Sequence, residues 1–261
     1  MPWSERWKEM SLFRKTLLVL MAAMVLGFGI ATPIVTSVRG IAYEDGFLGM
    51  EETGENVWYS GRLDGENAEF IVYPSGTVEY RWGEYTYGPY QVVEDPSASP
   101  EGQWSGLPGI EIRRGDEVLF RGGYVEGSWF MLVQEDGEPL DLVTIRAYTS
   151  TGEVIGENGR SISEEELHEP SLSSLAKLVL APEVTNRGSV GLYFLVTLLA
   201  AFNMVQICFP DMMFRLSLWG HVRNVEAAEP SDFYVAMEHL EWMVLAVVCF
   251  ALYWKSLFSI G

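Results

Sequence analysis

Three uncharged apolar runs constrain this chain more than any other feature. Thr16 to Val38 and Gly188 to Pro210 contain no Asp, Glu, Lys or Arg, and each is 23 residues long. As a helix such a run rises about 35 Å, more than the roughly 30 Å hydrocarbon layer of a bilayer. A third run, Trp242 to Trp254, covers only about 20 Å unless Lys255 snorkels and Ser256 to Ile260 extend it. The runs predict three transmembrane helices with a large segment between the first two. The expected divisions are an N-terminal segment at 1–15, a first span at 16–38, a β domain at 39–159 and short amphipathic helices at 160–187. A second span at 188–210, an interfacial loop at 211–232 and a helix at 233–260 containing the third span complete the chain.

Charge is concentrated in the intervening segment. Between Gly40 and Arg187 there are 28 Asp and Glu against 9 Lys and Arg, a balance of −19 that equals the net charge of the whole chain. A surface of that sign repels nucleic acid and anionic headgroups, so no nucleic-acid partner is expected. The Trp, Tyr, Phe and Val content of the segment argues for a folded domain, not an acidic disordered one. Both cysteines, Cys208 and Cys249, fall in apolar runs, so the domain must be held by burial and not by disulfides.

Arg6, Lys8, Arg14 and Lys15 flank the first run, and a basic flank of this kind stays in the cytoplasm. Three spans then place residues 40–187 outside, the 211–232 loop inside and the C-terminus outside. A cleaved leader is the alternative for the first run, because Gly40-Ile41-Ala42 offers small residues for a signal peptidase. The apolar stretch is long for a leader, however, and that site lies beyond Arg39, so a retained span is the reading adopted. The partners implied are the lipid bilayer and other membrane proteins.

From Val57 to Ala147 the pattern has the period of strands. "AEFIVYPSGTVEYRW" reads as a hairpin turning at Pro74-Ser75-Gly76, and "GIEIRRGDEVLFRG" as another turning at Gly115-Asp116. "SWFMLVQEDGEPLDLVTIRAY" repeats the device at Asp136-Gly137, and "NVWYSGRL" and "YTYGPYQVVE" add further strands. Seven or eight antiparallel strands in a barrel or sandwich are expected, with 95–108 as a long loop. Trp58, Ser75-Gly76-Thr77-Val78, Tyr87-Gly88-Pro89-Tyr90-Gln91-Val92 and the stretch from Trp129 to Pro139 together resemble the small lipocalin-like domains of bacterial surface proteins. That resemblance implies a fold and no activity. Trp58, Trp82, Tyr87 and Trp129 are candidate ligand contacts at a barrel mouth, for a small molecule or peptide of undefined identity. The competing reading divides the aromatic residues between a filled core and surface cross-strand pairs. After Gly159 the period changes: Ser163 to Glu166 form a capping box, and Leu172, Leu175, Ala176, Leu178 and Val179 make an apolar helical stripe.

The stretch "WGHVRNVEAAEPSDFY", from Trp219 to Tyr234, separates the last two runs. Met212, Met213, Leu216 and Trp219 suit a helix lying in the membrane interface, and Ser231 or Asp232 caps the final helix. Arg14, Lys15, Trp219, Arg223 and Lys255 are the expected interface anchors. Pro210, Phe214, Leu216-Ser217, Trp219, Glu229-Pro230-Ser231-Asp232 and Tyr234 resemble the loop of a family of small, uncharacterised bacterial integral membrane proteins built as a helical hairpin. The likeness covers about 60 residues from Gly188 onward and implies topology, not chemistry.

Glu238, His239 and Glu241 are either a wetted collar above the third span or, if the span begins near Phe233, an intramembrane polar site. Together with Asp232 they match no dependable metal-ligand spacing, and neither a metal nor another cofactor is expected. No phosphate loop, nucleophile elbow, HExxH or EF-hand spacing is present. The expectation is a bacterial multi-pass membrane protein acting as a non-enzymatic binding, sensing or accessory subunit. An immunity-type or transport-associated protein working through its helices is the alternative, and a surface hydrolase stands third.

Overall fold

The computed structural model describes residues 3–127, 130–140, 147–148, 154–156, 160–219 and 228–259. The chain divides into two compact units, one made of Met1–Val38 with Asn186–Gly261, the other of Arg39–Thr185.

The first unit is helical. A short helix α1 (Trp3–Glu9) precedes α2 (Leu12–Thr36), whose N-cap Ser11 accepts a hydrogen bond from the Arg14 amide. The second apolar run forms α5 (Val190–Cys208), and the last forms α7 (Asp232–Phe258), capped by Ser231. These three helices are long and apolar enough to cross a membrane. They alternate in direction: Arg14, early in α2, meets Ile207 and Cys208 at the end of α5, whereas Tyr193, early in α5, reaches Val25 further along α2. In α7, Trp242 lies beside Asn203, and Tyr253 near Thr197, so α7 also runs against α5. Their shared core comprises Leu17, Met21, Val196, Ala200, Trp242 and Cys249 among others. Val19, Leu26, Ile30, Leu195, Leu198, Val247 and Phe250 point outward, an apolar exterior that water would not favour and lipid would. The helix α6 (Pro210–Leu218) follows α5 and buries none of its residues; Trp219, just beyond it, is exposed.

The second unit is an antiparallel meander. Its strands are β1 (Arg39–Tyr43), β2 (Gly46–Thr53), β3 (Asn56–Leu63), β4 (Glu66–Val72), β5 (Thr77–Trp82), β6 (Tyr85–Glu94), β7 (Gly109–Arg114), β8 (Glu117–Val125) and β9 (Met131–Gln134). A short pair, β10 (Ala147–Tyr148) and β11 (Val154–Ile155), stands apart from them. The helices α3 (Glu164–Leu167) and α4 (Leu172–Leu180) then lead to β12 (Val184–Asn186). The sheet has ten strands in the order β12, β1 to β9, and among the described residues it does not close.

This corrects the expected barrel or sandwich of seven or eight strands. Strands β3 to β8 follow the alternation of the sequence, but alternation reports only that one face is buried, not what buries it. Here α4 does so. Leu175, Ala176 and Leu178 are buried against Tyr59, Phe70, Tyr80 and Tyr90 on one side and Val92, Ile110, Ile112 and Leu132 on the other. Because a helix covers the apolar face, the sheet need not curl onto itself. The opposite face is polar and carries ion pairs such as Arg81 with Glu69 and Glu79. The long loop between β6 and β7 contains two single 3-10 turns, Pro96–Ala98 and Gly102–Trp104.

Candidate functional site

Period-two alternation sends Tyr59, Phe70, Tyr80 and Tyr87 to the apolar face, and the register sets them in one row across β3, β4, β5 and β6. Phe70 and Tyr80 stack at 4.1 Å, and Tyr80 and Tyr87 at 5.6 Å, while Tyr43 meets Phe70 edge-on at 4.8 Å. Such pairs add about 0.5–1.5 kcal/mol each beyond their burial. Trp82, on the next inward position of β5, donates its indole N–H to the Leu63 carbonyl at 3.2 Å.

In a meander, alternate turns fall at the same end. The β1–β2 turn (Glu44-Asp45), the β3–β4 turn (Asp64-Gly65) and the β5–β6 turn (Gly83-Glu84) therefore lie together. Asp64 and Gly65 both have positive φ, as a two-residue type I′ hairpin requires, and Glu44 opens its own turn with φ 48°.

The segment around α3 is fastened over this end. Its capping box forms as the Ser163 and Glu166 spacing predicts. The Tyr87 hydroxyl donates to the Glu165 carbonyl at 2.8 Å, and the Tyr90 hydroxyl to the Glu169 carboxylate at 3.0 Å, which also accepts from Arg114. His168, at the C-terminal end of α3, lies flat on Trp82 with ring centroids 3.6 Å apart. Burial, reinforced by the Glu165 and Glu169 charges, pushes the Tyr87 phenol up to about 12. Burial likewise raises Tyr80, with Glu44, Tyr87 and Asp64 adding to it. These phenols stay protonated and neutral.

The fastening brings three remote side chains together. One ligand atom from each of Glu44, Asp64 and His168 lies within 4.8 Å of the other two. Among the described residues this is a set that could hold a metal ion, two carboxylates and an imidazole. Sequence reading singled out Trp82 and Tyr87, which flank it, but not the three residues themselves. Their separation along the chain leaves no local spacing to read.

The remaining expected contacts are dispersed. Trp58 faces away from Tyr59, on the polar side of the sheet opposite Ile71 and Glu51, so it joins neither Trp82 nor Tyr87. Trp129 and Arg223 lie outside the described residues. An open groove of about 560 Å³ lies at the other end of the apolar face, beside the Pro74-Ser75-Gly76 turn, with Val57, Tyr59, Val72, Val92 and Val179 in its lining.

In the helical unit, Arg14 donates to the Ile207 carbonyl at 3.0 and 2.5 Å, capping the end of α5, and Lys15 reaches the Lys8 carbonyl. Lys255 and Trp219 are exposed. Glu241 is exposed and accepts from Gln206 at 3.4 Å, whereas His239 packs against Phe13 and Trp242 at 5.1 Å each. Glu238 is half-buried. One turn deeper, the fully buried Asn203 donates to the Trp242 carbonyl at 3.1 Å.

The fold and site define a three-helix bundle, able to cross a membrane, with an antiparallel sheet unit inserted between its first two long helices. No known family, curated protein or solved structure matches this chain.

Proposed function

We propose that this is a bacterial integral membrane protein whose helices anchor it and whose acidic sheet unit, outside the membrane, acts as a non-enzymatic binding, sensing or accessory module. The observation that carries this reading is the separation of the two cores. The helical unit buries its own apolar set, and the sheet unit, an insertion between α2 and α5, buries another. A module that folds on its own core is suited to presentation, and its acidic exterior suits water. Arg6, Lys8, Arg14 and Lys15, which precede the first uncharged run, favour an inside N-terminus. The packing of α2 against α5 and α7 favours a retained first span over a cleaved leader. The likeness of the Glu229-Pro230-Ser231-Asp232 loop to that of bacterial membrane proteins supports the same assignment.

The second reading, action through the helices, rests on the buried Asn203 and on the Gln206 and Glu241 pair. Complementation separates the two. Val38 and Arg187 are joined by a backbone hydrogen bond of 2.9 Å, so residues 41–184 can be replaced by a short Gly-Ser linker without pulling α2 from α5. In a strain lacking the gene, that deletion should fail to reverse the effect of the loss, whereas the Glu238→Gln, Glu241→Gln double variant should reverse it. The reverse pattern favours the second reading. Turnover of a substrate by the sheet unit would overturn both.

A further inference from the structure

We infer that Glu44, Asp64 and His168 form a site for one first-row divalent cation, with Zn²⁺ and Mn²⁺ as the fitting ions. The inference names the ligand class of the binding module proposed above and rests on that reading for its biological role.

The geometry comes first. The three ligand atoms lie within 4.8 Å of one another. Bonds of about 2.0–2.2 Å to a shared ion hold ligand atoms roughly 3 to 4.4 Å apart. Glu44 and Asp64 are both exposed on two-residue turns, where their carboxylates are accessible to an ion from solvent. His168 supplies an independent indication. It is only 8% exposed, its ring is held flat by Trp82, and its nitrogens have no hydrogen-bond partner among the described residues. Its ring edge offers a ligand nitrogen within 4.8 Å of a carboxylate oxygen from each of two turns. An ion placed between them would join all three.

Charge and ligand type select the ion. Two carboxylates and a neutral imidazole carry −2, which a divalent cation cancels in a unit already rich in acid. Ca²⁺ and Mg²⁺ favour six or more oxygen ligands, whereas an imidazole nitrogen shifts preference toward Zn²⁺, Mn²⁺ and their neighbours. Three protein ligands leave at least one coordination position open to water, the arrangement of a site that exchanges ligands and not of a closed structural one.

The test uses the full chain in detergent, without an oligohistidine tag, freed of metal by chelation and then titrated calorimetrically with ZnCl₂, MnCl₂ and CaCl₂. One equivalent of Zn²⁺ should bind per chain, more tightly than Mn²⁺, with Ca²⁺ about 100-fold weaker or more. His168→Gln and Asp64→Asn should each weaken Zn²⁺ about 10-fold or more. Asp45→Asn removes the same charge one residue along the first turn from Glu44 and should change affinity less than about 2-fold. Because His168→Gln could loosen the α3 corner, Glu44→Gln and Asp64→Asn carry the test separately, with metal-free melting temperatures equal to that of the parent chain. The inference is overturned if Asp45→Asn costs as much as Asp64→Asn, if His168→Gln leaves Zn²⁺ binding intact, or if Ca²⁺ binds equally well. Each of those results means diffuse attraction to an acidic surface. A failed titration leaves the complementation result standing, and a failed complementation leaves the titration standing, so the two readings fall separately.

Discussion

Arg121 on β8 meets three carboxylates: Glu135 at 2.8 Å, Asp95 at 3.0 Å and Glu111 at 3.5 Å. Glu111 is 5% exposed, and among the described residues it also pairs with Arg113. Hydrogen bonds from the Ser97 hydroxyl and amide, followed by that of Arg121, hold the Asp95 carboxyl below its ordinary range. A carboxyl depressed in the folded state stabilises fully above its unfolded value of about 3.9, and that contribution is lost as pH falls through the folded value. Arg121→Ala should cost about 2 kcal/mol by stripping a partner from buried Glu111. It should also move acid unfolding of the sheet to higher pH. Urea titrations followed by far-UV circular dichroism, at neutral pH and at pH 4, measure both, and an unchanged midpoint at both values contradicts the argument. At this scale the sequence was partly legible. Adjacent residues in a strand must face opposite ways, so Trp58 and Tyr59 could not both be inside; nothing local decided which, and the register with Phe70 and Tyr80 put Tyr59 there. His168 stood alone in the sequence because its neighbours come from turns about a hundred residues earlier.

Helix α4 is the element on which the sheet unit depends most. Its Leu175 is fully buried, and it touches the cluster around Tyr80, while Ala176 enters the cluster around Ile112. Leu175→Ala should cost about 3 kcal/mol, a removed side chain plus a cavity that a sheet on one side cannot fill. Ser171→Ala, which removes the N-cap acceptor for the Ser174 amide, should cost about 1 kcal/mol. Equilibrium denaturation ranks the two, and equal losses would mean that α4 contributes through its cap and not through its buried face. Strands β3 and β6 coincide with the sequence segments that announced them, because aromatic and β-branched residues alternate there between clear turns. Strands β1 and β2 were not legible. "RGIAY" follows directly on an apolar run and carries the small residues of a leader cleavage site, and β2 is interrupted by Gly49. Gly40 is nevertheless required in β1, since a Cβ there would meet the Leu48 carbonyl oxygen at 2.0 Å. The open sheet was hidden for a more general reason. An apolar face invites closure, a second sheet or a helix equally, and only the packing of the stripe at Leu172 to Val179 selects the third.

Across the whole molecule, the direction of the three long helices sets what any topology must satisfy. With α2 and α7 running one way and α5 the other, the end of α2 and the start of α5 lie together, and the inserted unit leaves and rejoins the bundle at a single level. The bundle closes its own polar ends there and at the far level. Gly188 and Ser189 amides donate to the Ser259 and Ser256 carbonyls, and Arg14 takes the last carbonyls of α5. Backbone groups are thus satisfied at both ends of the bundle, which a helix set crossing a bilayer requires. If Arg14 and Lys15 mark the inside, then Asp116, exposed in the β7–β8 turn, must face outside, and Ser217, exposed in α6, must face inside. Replacing Cys208 and Cys249 by alanine and introducing Asp116→Cys or Ser217→Cys makes this a single-site measurement. A membrane-impermeant maleimide added to intact cells should label the Asp116→Cys chain and spare the Ser217→Cys chain until the cells are opened. Labelling of Ser217→Cys alone would invert the topology and place the acidic unit, with its convergent carboxylates and imidazole, in the cytoplasm. Labelling of both at once would mean that the long apolar helices do not cross the bilayer.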